Sequence, residues 1–118
     1  MEADPSHLVS IIFNGSGDFA VFASQDGCHL PSGEIGPNQV IANECITSIG
    51  LSRSNFSPNR PFQLIHIFGR GVQGFTFYFG GELTGDDEDA RQFAKKANFL
   101  SPSALATFAP REVVEKLL

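Results

Sequence analysis

The stretch LPSGEIGPNQVIANECITSIGL, from Leu30 to Leu51, decides how this chain is organised. In its second half Ile41, Ala42, Cys45, Ile46 and Ile49 recur at spacings of three and four, which predicts a helix with one buried face. Pro37 suits the first turn, Asn38 can cap it, and Gly50 stands where a terminating glycine belongs. Asn43, Glu44, Thr47 and Ser48 fall on the opposite, polar face. Pro31 and Gly33 in the first half predict a shaped loop without regular structure.

Working outward, Leu8 to Phe13 is an apolar, β-branched run that stops at the turn cluster Asn14-Gly15-Ser16-Gly17-Asp18. Phe19 to Ala23 continues it as the second strand of a hairpin, and Gln25-Asp26-Gly27 makes the next turn. Residues 51–60 read as a loop. Phe62 to Phe68 is apolar on both faces except at Gln63 and His66, which predicts a central strand. Phe75, Phe77 and Phe79 alternate with Thr76 and Tyr78, the period of a strand with one strongly buried face. Gly69-Arg70-Gly71 and Gly74 supply the turn between these two strands. Asp86-Asp87-Glu88-Asp89 reads as a solvated acidic loop or helix start that runs on to Lys96. Asn98 to Leu100 is a short strand, Ser101-Pro102-Ser103 a helix start, and Pro110-Arg111-Glu112 opens a final helix.

Composition bounds what such a chain can be. Its 118 residues fit a single domain, 1–118, and 42% hydrophobic residues are enough to build a core. Eight Lys and Arg against 13 Asp and Glu leave a net charge of −5, which argues against a nucleic-acid partner. No apolar run approaches the ~20 residues of a membrane helix, and Met1-Glu2-Ala3-Asp4-Pro5 does not resemble a signal peptide. The expectation is a soluble, intracellular protein that does not enter a membrane. Cys28 and Cys45 match neither a redox pair nor a zinc knuckle and are expected as reduced thiols. Twelve Phe without a Trp belong mostly in the core. Only 18% of residues are charged, so the surface is weakly repulsive, which favours a face covered by a protein partner.

The order of elements resembles the Nudix superfamily. The resemblance rests on Leu30-Pro31-Ser32-Gly33, on Glu44-Cys45-Ile46-Thr47-Ser48-Ile49-Gly50-Leu51, on the strand Phe75 to Phe79, and on Asn98 to Leu105. It implies an α/β fold, an α/β/α sandwich around a mixed β-sheet, spanning the chain. The family's chemistry lies on the helix, where glutamates at spacings of three and four hold Mg²⁺ against a diphosphate that water attacks. Aligned on Gly50 and Leu51, the resemblance puts its arginine position at Asn43, its first glutamate at Glu44, and its later glutamates at Thr47 and Ser48. The shared face survives, but most of its charge does not. One carboxylate and two hydroxyls make a weak Mg²⁺ site, and losing a single charge-stabilising group commonly costs about 10²–10³ in rate. Gly33 and Asn43 also stand closer together than the family's spacing requires.

The resemblance therefore implies a catalytically degenerate Nudix-like domain, serving as a protein-interaction or scaffolding module, with no catalytic residue and no cofactor. One alternative is a sensor that holds a nucleotide or nucleoside diphosphate without cutting it, through Glu44, Thr47, Ser48, Arg70 and Tyr78. Another is a divergent hydrolase, the one case that needs Mg²⁺, with Glu44, Glu82 and the acids of 86–89 as ligands. His66 reads as a hydrogen-bonded core residue rather than a metal ligand. Arg70 also suits a solvated turn, and Cys28 has no recognisable neighbouring base. The same element order suits a small α+β domain of the profilin or roadblock kind.

Overall fold

The computed structural model describes residues 6–25, 27–35, 49–69, 75–84 and 87–117. The helix expected between Asn38 and Ile49 falls almost wholly outside them, as do the turn from Arg70 to Gly74, Asp86 and Cys45. Gly50, just past that helix, has a φ of 78°, the left-handed backbone that only glycine adopts at little cost.

The hairpin forms as its sequence predicts, from β1 (Ser6–Phe13) and β2 (Phe19–Ser24). Asn14 builds the turn: its Oδ1 accepts the N–H groups of Ser16 and Asp18 at 2.9 and 3.0 Å. Two short strands follow, β3 (Gly27–His29) and β4 (Ser32–Ile35). The expectation of an irregular loop at Leu30–Gly33 is corrected here. Pro31 precedes the strand, where no ladder N–H is needed, and its carbonyl accepts the Ser10 N–H at 2.8 Å. Gly33 then pairs with Leu8 inside the β1–β4 ladder.

β5 (Gln63–Gly69) and β6 (Phe75–Glu82) complete one side of the sheet. The other pairs β2 with β7 (Asn98–Leu100). Hydrogen-bonded neighbours run in the order β3-β2-β1-β6-β5, with β4 on β1 and β7 on β2. β1 and β6 are parallel and every other pair is antiparallel, so the sheet is mixed.

The central strand is β1, not the segment after Phe62. Leu8 and Ile12 face one side, Ile11 and Phe13 the other, and all four are buried, as a two-sided strand requires. β5 is the outer strand of the path, and Leu64 and Ile67 on it are 45% and 44% exposed. Apolar residues on both faces are necessary for a central position but do not secure it.

Helices cover both faces. On one side α1 (Glu88–Lys96) lays Phe93 over Leu8, Ile12, Ala20 and Phe79. Its charge order suits the helix dipole, with Glu88 and Asp89 in the first turn and Lys95 and Lys96 in the last. On the other side α2 (Leu105–Phe108) and α3 (Arg111–Leu117) bring Leu105 and Val113 against Ile11, Phe13, Phe19 and Val21. Each such side chain contributes about 1.5–3 kcal/mol by leaving water. The α/β/α expectation holds.

Two adjacent glycines let both layers approach β6. A Cβ on Gly81 would lie 2.9 Å from the backbone of Phe62 and from the Phe56 ring. One on Gly80 would meet Leu117 at 3.2 Å and Ile65 at 3.3 Å from the opposite side. The 51–60 segment thus lies directly on the sheet, held by Ser57 N–H to Glu82 O and Glu82 N–H to Arg60 O, both 2.9 Å. Among the described residues no helix is long and apolar enough to cross a membrane.

Candidate functional site

Of the residues singled out for ligand or metal binding, Glu44, Thr47, Ser48 and Arg70 lie outside the described residues. Tyr78 and Glu82 are described, and both lie on β6. Four residues of extended chain separate them by about 13 Å. Gly80 lies between them, and there Leu117 and Ile65 close over the strand. The two residues therefore do not meet in one cleft.

Tyr78 lines an open groove of about 290 Å³ with Phe68, Gly69, Thr76 and Pro110. The alternation of β6 turns Tyr78 away from Phe77 and Phe79 and onto the α2–α3 side. Its ring meets Phe68 edge-on at 5.6 Å, which fixes one wall. Pro110 comes from the start of α3, so the groove has a strand side and a helix side. A flat, partly apolar ligand with a few polar atoms suits such a lining. Sequence reading found Tyr78 but not Thr76, Phe68 or Pro110, because nothing local brings β5, β6 and α3 together.

Glu82 sits at the far end of β6, level with Phe13 at the end of β1. Its neighbour there is Arg60, whose guanidinium lies 4.3 Å from the centre of the Phe13 ring and whose Nη2 donates to Leu117 O at 2.9 Å. Arg60 thus ties its loop to the end of α3. Among the described residues no three of His, Cys, Asp and Glu converge as metal ligands. The described donor set does not fit a Mg²⁺ cage: of its metal candidates, Glu82 ends β6, while Asp87, Glu88 and Asp89 stand at the start of α1.

The acidic run has a structural role where it is described. The Asp87 carboxylate caps α1 by accepting the Ala90 N–H at 3.0 Å. Both of its oxygens also accept from Asn55 Nδ2, at 2.9 and 3.0 Å. The Ala90 N–H, then the Asn55 amide and, more weakly, the Arg91 charge hold its pKa below the ordinary 3.8 against opposing desolvation. Asn55 is 1% exposed, and its Oδ1 takes the Ser52 N–H at 2.9 Å, so its amide is satisfied at both ends. Sequence reading passed over Asn55 as a loop residue. The signal was present in Ser52 and Asn55, a polar pair three apart where a turn begins.

His66 is half-buried rather than a core residue. A bulge between Leu64 and His66 shifts the register of β5. The ring comes to lie 4.5 Å from Phe68, with Nδ1 2.9 Å from Lys116 Nζ. It is hydrogen-bonded, as expected. Cys28 is exposed on β3 as a free thiol. Leu64, Ile67 and Phe75 share one face of the β5–β6 pair and are its large exposed apolar side chains.

The same fold occurs in solved structures of very different sequence. MutT, studied from Aliivibrio salmonicida and Vibrio cholerae, aligns with a TM-score of 0.61 at 11% identity, covering 96% of this chain and 94% of that one. The Ap4A hydrolase of C. elegans aligns with a TM-score of 0.60 at 12% identity, over 98% and 96% of the two chains. A Nudix hydrolase from Nitrosomonas europaea gives 0.53 at 14% identity, over 97% and 86%. No family model and no curated protein matches the sequence. At such identities the likeness establishes the fold: a mixed sheet with flanking helices, Nudix-like.

Proposed function

We propose that this Nudix-fold chain is a non-catalytic module that docks onto a protein partner within a larger assembly. The observation that carries the reading is the apolar row of Leu64, Ile67 and Phe75, each between 44% and 48% exposed on one face of the β5–β6 pair. Large apolar side chains gathered in this way suit the apolar surface of a protein partner. Two further features agree. Thr47 and Ser48 stand where the Nudix resemblance implies carboxylates, and Asp87 is engaged as a helix cap.

The test has two parts. With Mg²⁺ and a panel of nucleoside diphosphate compounds, the purified chain is expected to release no phosphate. A complex rebuilt from this chain and its purified, cross-linked partner is expected to dissociate when Leu64 and Ile67 are both changed to Asp. Mg²⁺-dependent phosphate release that Glu44→Gln abolishes would overturn the reading in favour of the divergent hydrolase with Glu44 and Glu82. Survival of the complex through both Asp substitutions would remove the apolar row as the docking face.

The groove beside Tyr78 favours a second reading, in which the domain holds a nucleotide or nucleoside diphosphate without hydrolysis. The structural likeness to MutT and to an Ap4A hydrolase makes nucleotides the class to try first. A ligand at 100 times its Kd adds about 2.7 kcal/mol of stability, several degrees in Tm for a domain this size. The sensor reading expects that shift without Mg²⁺ and its loss on Tyr78→Ala.

A further inference from the structure

The bulge at Ile65 brings Ile65 and His66 both toward α3, where regular alternation would turn one of them away. Lys116, in the last turn of α3, places its Nζ 2.9 Å from His66 Nδ1 and 3.2 Å from Ile65 O. An ammonium group only donates, so Nδ1 must accept, which requires a neutral ring with its proton on Nε2. We propose that His66 and Lys116 form a pH-sensitive latch that holds the last turn of α3 on β5 while His66 is neutral and lets it shift when His66 is protonated. Protonation places an N–H on Nδ1, so the hydrogen bond becomes a contact between two like charges.

The neighbouring groups among the described residues are these. β5 carries no other ionisable side chain. From β6 the residue paired with His66 is Tyr78, which has contacts of its own. On α3, Glu115 is engaged by Arg111 Nε at 2.7 Å, and Glu112 stands one turn before Lys116. The other described polar tether of this helix end is the Arg60 guanidinium on Leu117 O. The change reaches the groove as well, because the Phe68 ring that touches His66 also forms the wall beside Tyr78. The latch does not depend on what the groove binds.

Backbone amide spectra recorded between about pH 8 and pH 5 test it. The amides of residues 113–117 and of Phe68 are expected to move together with the His66 ring signals. His66→Gln offers an oxygen that accepts from Lys116 without titrating, so it should keep α3 in place throughout. Over the same range Tm should fall about 2–4 °C further in the wild type than in His66→Gln. Lys116→Met should start at pH 8 with the α3 amides already displaced and show no further acid movement. A His66 ring that titrates while the α3 amides stay still overturns the latch. So does an acid response retained in His66→Gln, which would trace it to His7 or His29.

Discussion

The two ends of β6 carry the same alternation of aromatic residues yet meet different surroundings. At the carboxyl end Phe79 is 4% exposed and stacks on Phe62 at 5.3 Å, 5° from parallel. At the amino end Phe75 is 48% exposed and lies over Gly69, a Cβ on which would meet its ring at 2.9 Å. The difference comes from what lies above the strand. The segment from Leu51 to Phe62 covers one end through close contact at Gly81, while Phe75 lies over its cross-strand neighbour Gly69 and beside Phe77. Period tells which face a side chain takes; depth is decided by segments distant in the chain.

That contrast can be broken most sharply at Phe79. Phe79→Ala is expected to lower stability by about 3–5 kcal/mol in urea unfolding, since it removes a fully packed ring. Gly81→Ala should follow at about 1–3 kcal/mol, because its Cβ would press on the Phe62 backbone, which cannot move aside like a side-chain tip. Asn55→Ala should cost about 1–2 kcal/mol by leaving Ser52 and Asp87 without their partner, and hydrogen exchange in the first turn of α1 should quicken.

The Asp87 cap supplies a smaller effect with a fixed sign. Its carboxyl titrates below the ordinary value of 3.8, so its contribution is complete above that pH and is lost as pH falls through the lower, folded value. Asp87→Ser, which keeps a capping oxygen without the charge, should flatten the acid limb of a Tm-against-pH profile below about pH 4. The smallest effect is expected at the other end of β6. Phe75→Ser should change stability by no more than about 0.5 kcal/mol, as surface changes usually do. If Phe75→Ser matched Phe79→Ala instead, the two ends of β6 would have to be regarded as equally buried.

Much of the element order was legible because it rests on local chemistry. Asn14 and its glycines close the hairpin, Asp87 caps α1, and Ser101 and Pro102 start the turn before α2. The candidate site was less legible. Tyr78 could be named from its strand, but its groove is assembled from β5, β6 and α3, whose residues lie far apart in sequence. Asn55 was passed over for the same reason, since its partner Asp87 is 32 residues away.

The apolar periods, the turn residues and the caps, which act over three or four residues, were enough to set β1, β2, β5, β6 and β7 and the described helices, but not β3 and β4. Only the tertiary structure made β1 the centre and β5 an outer strand, placed Ser32 and Gly33 in a strand paired with β1, and set His66 against Lys116. Sheet order and depth depend on contacts between segments that local propensity does not encode, and two strands equally apolar in sequence were separated by which one lay between two others.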